Sequence, residues 1–582
     1  MEKIWQIQAK MPKSLREDYP TVNPLILQIL FNRGLKTKED LRWFLSDEEE
    51  FLDPFLFKDM KAAVALIIDH IKKRNKIMIF GDYDADGVTS AALLYDVFSI
   101  LKASVDFYIP DRVSEGYGLN KKALDQIKAD GFSLVVTVDN GIRNKEEVDY
   151  AQSLGLDIII TDHHAYPEKK TDWPSCLIIN PADKASGYPF RYLAGVGVAF
   201  KLASALILES KLGAEDKEIL IERTLDLTAI GTVSDMVPLI GENRLIVQWG
   251  LKVLDKTKRL GLLELLRVSG GEGKIDSFRL GFHLGPRLNA ASRMKHANSA
   301  LNLLISKDPS EARLLAEDLN DKNMERQEMT DNVLAAAESQ LDVNNIPKII
   351  IVKDLSNNSW NEGVIGLVAG RLSEKYYRPV LIIVKTGETA VASDGQKYSL
   401  YKGSARSIEG FSLVEALEDS KDFLYKYGGH PMAGGFSILA EENVFAFIDN
   451  INSLAEKKIS LDLLKPKIKV DAELNFSSIN NKLLELIERL APFGQINTSP
   501  CFATFKLKII DIVKMGKEEQ HIKIRFLNHE DKEMKSFWGI SFGGADKYSN
   551  LKLGDTVDLL YSLEFNNFNG KREIQLRIMD IV

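Results

Sequence analysis

Three carboxylates stand at i, i+2 and i+4 in Gly81-Asp82-Tyr83-Asp84-Ala85-Asp86-Gly87, directly after an apolar run, 76–80, of strand length. Held in one turn, they repel one another and raise each other's pKa. A divalent cation is the simplest compensation, because hard cations take oxygen ligands. The segment alone also reads as a solvated turn with an N-cap Asp, or as a calcium loop. Two further apolar runs end in the same kind of residue. The run 134–138 leads into Asp139, and the run 157–161 leads into Asp162, His163 and His164. Asp235, in Gly231-Thr232-Val233-Ser234-Asp235, follows a helical stretch. A mixed Asp/His set suits Mn²⁺ or Mg²⁺ better than zinc. Five or six ligands are too many for one hydrated ion, so two ions sharing a carboxylate are the economical arrangement. Ion pairs about 4 Å apart recur in phosphoester hydrolysis, activating water and stabilising charge on phosphorus.

Such residues meet only if the elements bearing them converge. Runs at 76–80, 105–109, 134–138, 157–161 and 176–180 alternate with helical stretches, including 88–101, 196–209 and 221–230. Continuous apolar strands between helices predict a parallel sheet buried on both faces. The carboxyl ends of its strands face one crevice, which brings Asp84, Asp86, Asp139 and His163 together. A charged helical stretch at about 310–341 reads as a connecting helix. A second α/β unit follows, with strands at 348–352 and 380–384 and a helix at 364–376. After Pro466, alternating strands at 502–510, 521–526, 556–561 and 573–578, with a turn at Asn569-Gly570, predict a small barrel of OB-fold type. The fold class is thus α/β with a terminal β-barrel. The expected domains are a preface over 1–60, a parallel-sheet domain over 61–305, a connecting helix over 306–342, a second α/β domain over 343–460 and the barrel over 466–582.

Composition sets the outer bounds. With 582 residues, 45% hydrophobic and 27% charged, the chain is ordinary for a globular protein of about four domains. Two distant cysteines, Cys176 and Cys501, make a disulfide framework improbable and a reducing, cytoplasmic compartment the default. No apolar run reaches the ~18 residues of a membrane span. The net charge of −8 leaves no global positive field, so a polyanion needs a local basic groove. On the barrel, Phe502, Phe505, Lys506, Lys508, Lys523, Arg525 and Trp538 could form one, although strand alternation sends some of them to the core.

The Asp82–Gly87 turn, the Val138-Asp139-Asn140-Gly141 segment, the Asp162-His163-His164 triplet and the Gly231–Asp235 segment resemble motifs I to IV of the DHH phosphoesterases. The resemblance runs from about residue 75 to the end. It is closest to the family's single-strand-specific 5′→3′ exonucleases of bacteria. It implies that Asp84 and Asp86 bind one metal each, that Asp139 bridges, that His163 completes one metal and Asp235 the other, and that His164 orients a ligand. Many members carry a His four residues before the first motif Asp; here Phe80 stands there, and Asp82 is the substitute ligand. Asp226 is a rival to Asp235, read as structural. Tyr427-Gly428-Gly429-His430 resembles the Gly-Gly-His motif of the DHH-associated domain, whose His contacts the scissile phosphate. Lys402-Gly403-Ser404-Ala405-Arg406 resembles its phosphate-contacting segment, giving Ser404 and Arg406. Arg112 and Tyr117, with Arg287, Asn289 and Arg293, are implied to hold the 5′-phosphate and the first nucleotides; ordinary loop residues are the other reading of the first two. The implied activity is two-metal degradation of single-stranded DNA to 5′-mononucleotides in repair and recombination, in a cleft too narrow for duplex. The alternative is a phosphodiesterase of short oligonucleotides or cyclic dinucleotides; a scaffold that has lost its metal ligands is a weaker third reading. A monomer is expected, with a helicase and a single-strand-binding protein as candidate partners.

Overall fold

The computed structural model describes the chain except residues 1–2, 46–49, 113, 271–272, 295–296, 357–359, 393–394, 530–533 and 569–570, and the side chains of 293–294, 567–568 and 571. The expected Asn569-Gly570 turn and the Arg293 side chain therefore lie outside the described residues. The chain folds as two compact units, one mainly from 318–468, the other mainly from 6–292 and 469–582.

The larger unit holds the first sheet. Its strands are β1 (Lys76–Phe80), β2 (Ser104–Tyr108), β3 (Phe132–Val138), β4 (Asp157–Thr161) and β5 (Leu177–Ile179). All pair in parallel, in the order β2-β1-β3-β4-β5. Ile77, Ile79, Leu134, Val136 and Ile159 are fully buried, as a sheet covered on both faces requires. The chain winds one way from β1 to β2 and the other way from β3 onward. The switch point lies between β1 and β3, where the crevice at the strand ends opens. Helix α1 (Ala85–Ile100) follows β1, and α2 (Gly195–Glu209) and α3 (Ala214–Ser234) pack against it. Helix α1 starts three residues earlier than expected, so Asp86 belongs to its first turn and Asp84 is its N-cap.

The same unit contains the barrel. In the C-terminal region the short strand Ala472–Glu473 pairs with the first of five strands that form the barrel. Numbered in chain order after the second unit's five strands, these are β11 (Phe502–Met515), β12 (His521–Leu527), β13 (Ser536–Ser541), β14 (Thr556–Phe568) and β15 (Lys571–Ile581). They close in the order β11-β12-β13-β15-β14, with β14 returning to β11. The sequence patterning missed β13. The N-terminal helices Pro24–Asn32 and Lys38–Leu45 share one hydrophobic core with the barrel: Leu27, Leu30, Leu41 and Phe44 belong to the same cluster as Phe476, Leu484, Phe502 and Tyr561. Arg244 ties this assembly to the helical layer, donating to the carbonyls of Trp43 (2.8 Å) and Arg489 (2.9 Å).

The other unit is a mixed sheet of β6 (Ile350–Asp354), β7 (Val380–Val391), β8 (Lys397–Arg406), β9 (Lys426–His430) and β10 (Ala433–Leu439), ordered β9-β10-β8-β7-β6. Only β6 and β7 are parallel. Helix α4 (Glu362–Tyr376) packs on β7 and β8. The charged stretch is one continuous helix, Pro309–Glu338, most of which belongs to this unit. Among the described residues no helix is long and apolar enough to cross a membrane.

Candidate metal centre

The crevice at the ends of β1, β3 and β4 gathers the acidic and imidazole side chains. Asp84 caps α1, its carboxylate accepting from the backbone N–H groups of Asp86 (2.9 Å) and Gly87 (3.0 Å). Asp86 is 1% exposed and accepts from Gly195 N (2.7 Å) and Val196 N (2.8 Å). Those two donors are the open N-terminus of α2, where the helix dipole favours a negative charge. Asp139 is 2% exposed and takes a left-handed backbone, φ 62°. A Cβ on Gly195 would lie 2.6 Å from the Asp139 side chain, so only glycine lets α2 approach so closely.

His163 joins the strands. Its Nε2 lies 3.1 Å from Asp139 Oδ1, 3.7 Å from Asp235 Oδ2 and 4.0 Å from Asp86 Oδ2. Asp162, fully buried, accepts from Ile142 N, His163 N, His164 N and His164 Nδ1, the last at 2.8 Å. Burial raises its carboxyl, but the bond to His164 and the backbone donors outweigh that and hold it below the ordinary carboxylate range. Asp162 thus orients His164 and the β4 turn, as the supporting carboxylate of a ligand shell does.

Donor atoms fall into three groups, within each of which all lie within 4.8 Å of one another: Asp86, His163 and Asp235; Asp82, Asp84 and Asp139; and Asp139, His163 and His164. His163 and Asp235 therefore share a group, whereas the family resemblance placed them on different metals. The reason is that Asp235 caps the C-terminus of α3, which crosses α1 beside Asp86. Asp82 joins Asp84 and Asp139. Phe80, at the place of the family's His, is a core residue stacked on Tyr108. Asp226 is engaged elsewhere, with Arg259 (3.3 Å) and Thr257 (3.1 Å).

The electrostatics are those of a cation site. Burial first, then the charge of neighbouring carboxylates, pushes Asp86 up to about 7 and raises Asp82, Asp139 and Asp235 well above their ordinary range. Burial and the charge of His164 lower His163 to about 4, so its ring is neutral. Asp82 Oδ1, Asp139 Oδ1 and His163 Nε2 are buried and make no hydrogen bond. Unsatisfied lone pairs facing one another across about 3–5 Å are costly unless an ion lies among them. The donor set of carboxylates and one or two imidazoles fits Mn²⁺ or Mg²⁺.

The other candidates sit in two places. Tyr117 Oη lies 2.9 Å from the Asp139 carbonyl and 3.1 Å from His164 Nδ1. Arg112 lies over the Tyr83 ring, 5.0 Å from its centroid. Asn289 accepts from Ala85 N (2.7 Å) and so ties its helix to the acidic turn. Arg287, half-buried, donates to the His283 carbonyl (2.7 Å). In the other unit the Gly-Gly-His segment is a β-strand, β9, leading into a hairpin with Pro431 and Met432 at its tip. Register aligns His430 with Ala433 and Ala433 with Arg406 across three strands, and His430 is exposed. Alternation puts Ser404 on the Arg406 face of β8. Gly429 has φ 150°, and a Cβ there would meet Ala433 O at 2.3 Å. Gly429→Ala is therefore expected to splay the hairpin and destabilise the fold by about 1–3 kcal/mol in chemical denaturation. On the barrel, Phe502 is core, while Lys523 and Arg525 flank the half-exposed Trp538 at 4.7 and 5.8 Å.

Sequence reasoning missed Gly195 and Val196, and named Gly231 only as the start of the Gly231–Asp235 segment. The only signal was the glycine pair Gly195 and Gly197 ahead of an apolar helix.

Comparison with known proteins identifies the domains of the chain. Residues 76–232 match the DHH family N-terminal domain, 347–457 the DHHA1 domain and 470–580 the RecJ OB domain. The chain is thus built from the domains of a DHH phosphoesterase, with an OB barrel added. It is 38% identical over 582 residues to the single-stranded-DNA-specific exonuclease RecJ of Bacillus subtilis, covering 99% of this chain and 70% of that one. It is 32% identical to the RecJ of Escherichia coli, covering 96% of each. The structure of Thermus thermophilus RecJ in complex with Mn²⁺ superposes with a TM-score of 0.81 at 27% identity, covering 100% of this chain and 79% of that one. The chain belongs to the RecJ family.

Proposed function

We propose that the chain is a two-metal exonuclease that degrades single-stranded DNA from its 5′ end to 5′-mononucleotides. The observation that carries this reading is the convergence of Asp82, Asp84, Asp86, Asp139, His163 and Asp235 into groups of donors within 4.8 Å. It is supported by the relatives, which are named single-stranded-DNA-specific exonucleases. The RecJ OB match over 470–580 favours it over a phosphodiesterase of short or cyclic substrates, which has no need of a barrel.

Asp86, His163 and Asp235 would hold one ion, and Asp82, Asp84 and Asp139 the other, with Asp139 shared. An ion held there, Mn²⁺ or Mg²⁺, would supply water activation and charge neutralisation at the phosphate. The residues do the rest. The N-terminus of α2 donates two hydrogen bonds to Asp86 and offsets part of the rise that burial and the neighbouring carboxylates cause, Asp162 fixes His164, and the neutral His163 keeps Nε2 free to ligate. In the other unit Arg406 and Ser404 are suited to phosphate oxygens, and His430 to stabilising charge on the scissile group. Arg112 and Arg287 supply cations for the 5′-phosphate. A helicase and a single-strand-binding protein are the expected partners of a monomer acting in the cytoplasm.

The test is release of mononucleotides from a 5′-phosphorylated single-stranded oligonucleotide with Mn²⁺, beside the same strand in a blunt duplex and a cyclic dinucleotide. Single-strand turnover at least about 100-fold above both competitors is expected. Preference for the cyclic dinucleotide would overturn the reading. Removing the barrel is a poor control, because the N-terminal helices share its core. Trp538→Ala is the cleaner probe. Loss of one stacking platform is expected to weaken single-strand binding by about 5- to 100-fold in a fluorescence titration, leaving cleavage of a trinucleotide unchanged.

A further inference from the structure

The resemblance gave Tyr117 one role, contact with the first nucleotides. Its two ends face different things. The residue is 44% exposed, and its ring meets the His164 ring edge to face at a centroid distance of 5.5 Å. The hydroxyl lies 2.9 Å from the carbonyl oxygen of Asp139.

The hydroxyl has a single proton, and the neighbouring groups decide where it goes. His164 Nδ1, 3.1 Å from the phenol, also lies 2.8 Å from Asp162 Oδ1. A carboxylate only accepts, so Nδ1 carries the proton of that bond. The phenol proton is then left for the Asp139 carbonyl. Asp139 needs such an anchor. Its φ of 62° is uncommon for a residue with a side chain and costs about 1–3 kcal/mol unless its surroundings enforce it. Its N–H is held by the Thr161 carbonyl at 3.0 Å, and Gly195 packs against its side chain. The Tyr117 bond fixes the remaining backbone group. The direction of the Asp139 carboxylate, with Oδ1 making no hydrogen bond, follows from that backbone.

We propose that Tyr117 is a positioning residue for the metal centre, its hydroxyl holding Asp139 in ligating orientation while its ring faces substrate. A segment on the substrate side is thereby linked to a metal ligand by one hydrogen bond. The ring's part rests on the proposed function; the hydroxyl's part does not.

Tyr117→Phe separates the two, since it keeps the ring and removes only the hydroxyl. Mn²⁺ binding to the full-length protein is measured without nucleic acid by electron paramagnetic resonance. Turnover of a 5′-phosphorylated single strand is then measured across Mn²⁺ concentrations. The expected result is Mn²⁺ affinity lowered by about 5- to 10-fold, the yield of one hydrogen bond. With it come kcat reduced at limiting Mn²⁺ and restored by excess Mn²⁺, and KM for DNA within about twofold of the parent. Tyr117→Leu, lacking the ring as well, is expected to raise KM in addition. Unchanged Mn²⁺ affinity in Tyr117→Phe overturns the proposal, as does a kcat deficit that excess Mn²⁺ does not restore. Failure of the exonuclease reading would instead appear as absent DNA turnover in the parent protein, with the Mn²⁺ titration still informative.

Discussion

Asp139→Asn is expected to lower kcat by about three to four orders of magnitude while leaving the protein folded, a loss on the scale of removing a member of a catalytic unit. Asp139 appears in two of the three donor groups, which none of the other carboxylates does, and its Oδ1 lies 3.1 Å from His163 Nε2. Asparagine keeps the shape, and its amide can still pack against Gly195. It removes one negative charge from the place where both ions would meet. Repulsion among the remaining carboxylates falls, so the variant is expected to melt at the same temperature as the parent or slightly above it without metal. With Mn²⁺ its melting temperature should rise less than the parent's, because an ion that binds only the folded state stabilises in proportion to its affinity. Calorimetry with and without Mn²⁺, beside mononucleotide release, checks both halves. Activity within tenfold of the parent would remove Asp139 from the centre of the account.

Gly231→Ala is expected to cost both stability and activity, although no ligand is touched. Alanine in a helix interior normally gains about 1 kcal/mol over glycine. Here a Cβ would lie 2.3 Å from Thr89 Oγ1, 2.8 Å from Val196 Cγ1 and 3.0 Å from Asp86 Oδ1. Those atoms belong to α1 and α2, and Gly231 is on α3, so the three helices meet at this residue. None can yield alone. Overpacking of this kind costs about 1–3 kcal/mol. Displacing Asp86 by a fraction of an ångström from Gly195 N and Val196 N is expected to cost a further 100-fold in kcat. Chemical denaturation and steady-state rates measure the two effects separately. A variant as stable and active as the parent would mean that the helices do not hold Asp86 in this way.

The parallel sheet and the convergence at its strand ends were legible because the signal is local: apolar runs such as 76–80 and 134–138 end directly in the candidate ligands. The barrel was legible for the same reason, apart from Ser536–Ser541, whose half-buried Phe537 and Trp538 give no clean alternation. Long-range choices were not legible. Nothing in the first sixty residues announces that Leu27 and Phe44 share a core with Phe502 and Tyr561. Asp86 finds its donors 109 and 110 residues away. The pairing of His163 with Asp235 depends on how α3 crosses α1, which no spacing encodes. Asn289 and Tyr117 carry residue types suited to nucleic acid, yet their polar atoms hold the backbone of the metal turns. Type alone does not reveal which way a side chain faces.

The most direct measurement is anomalous diffraction at the manganese edge from crystals soaked in Mn²⁺. Two peaks are expected, about 4 Å apart. One should lie at coordinating distance from Asp86, His163 and Asp235, and the other from Asp82, Asp84 and Asp139, both losing occupancy in Asp139→Asn. A single peak, or ions bound away from these side chains, would contradict the two-metal account.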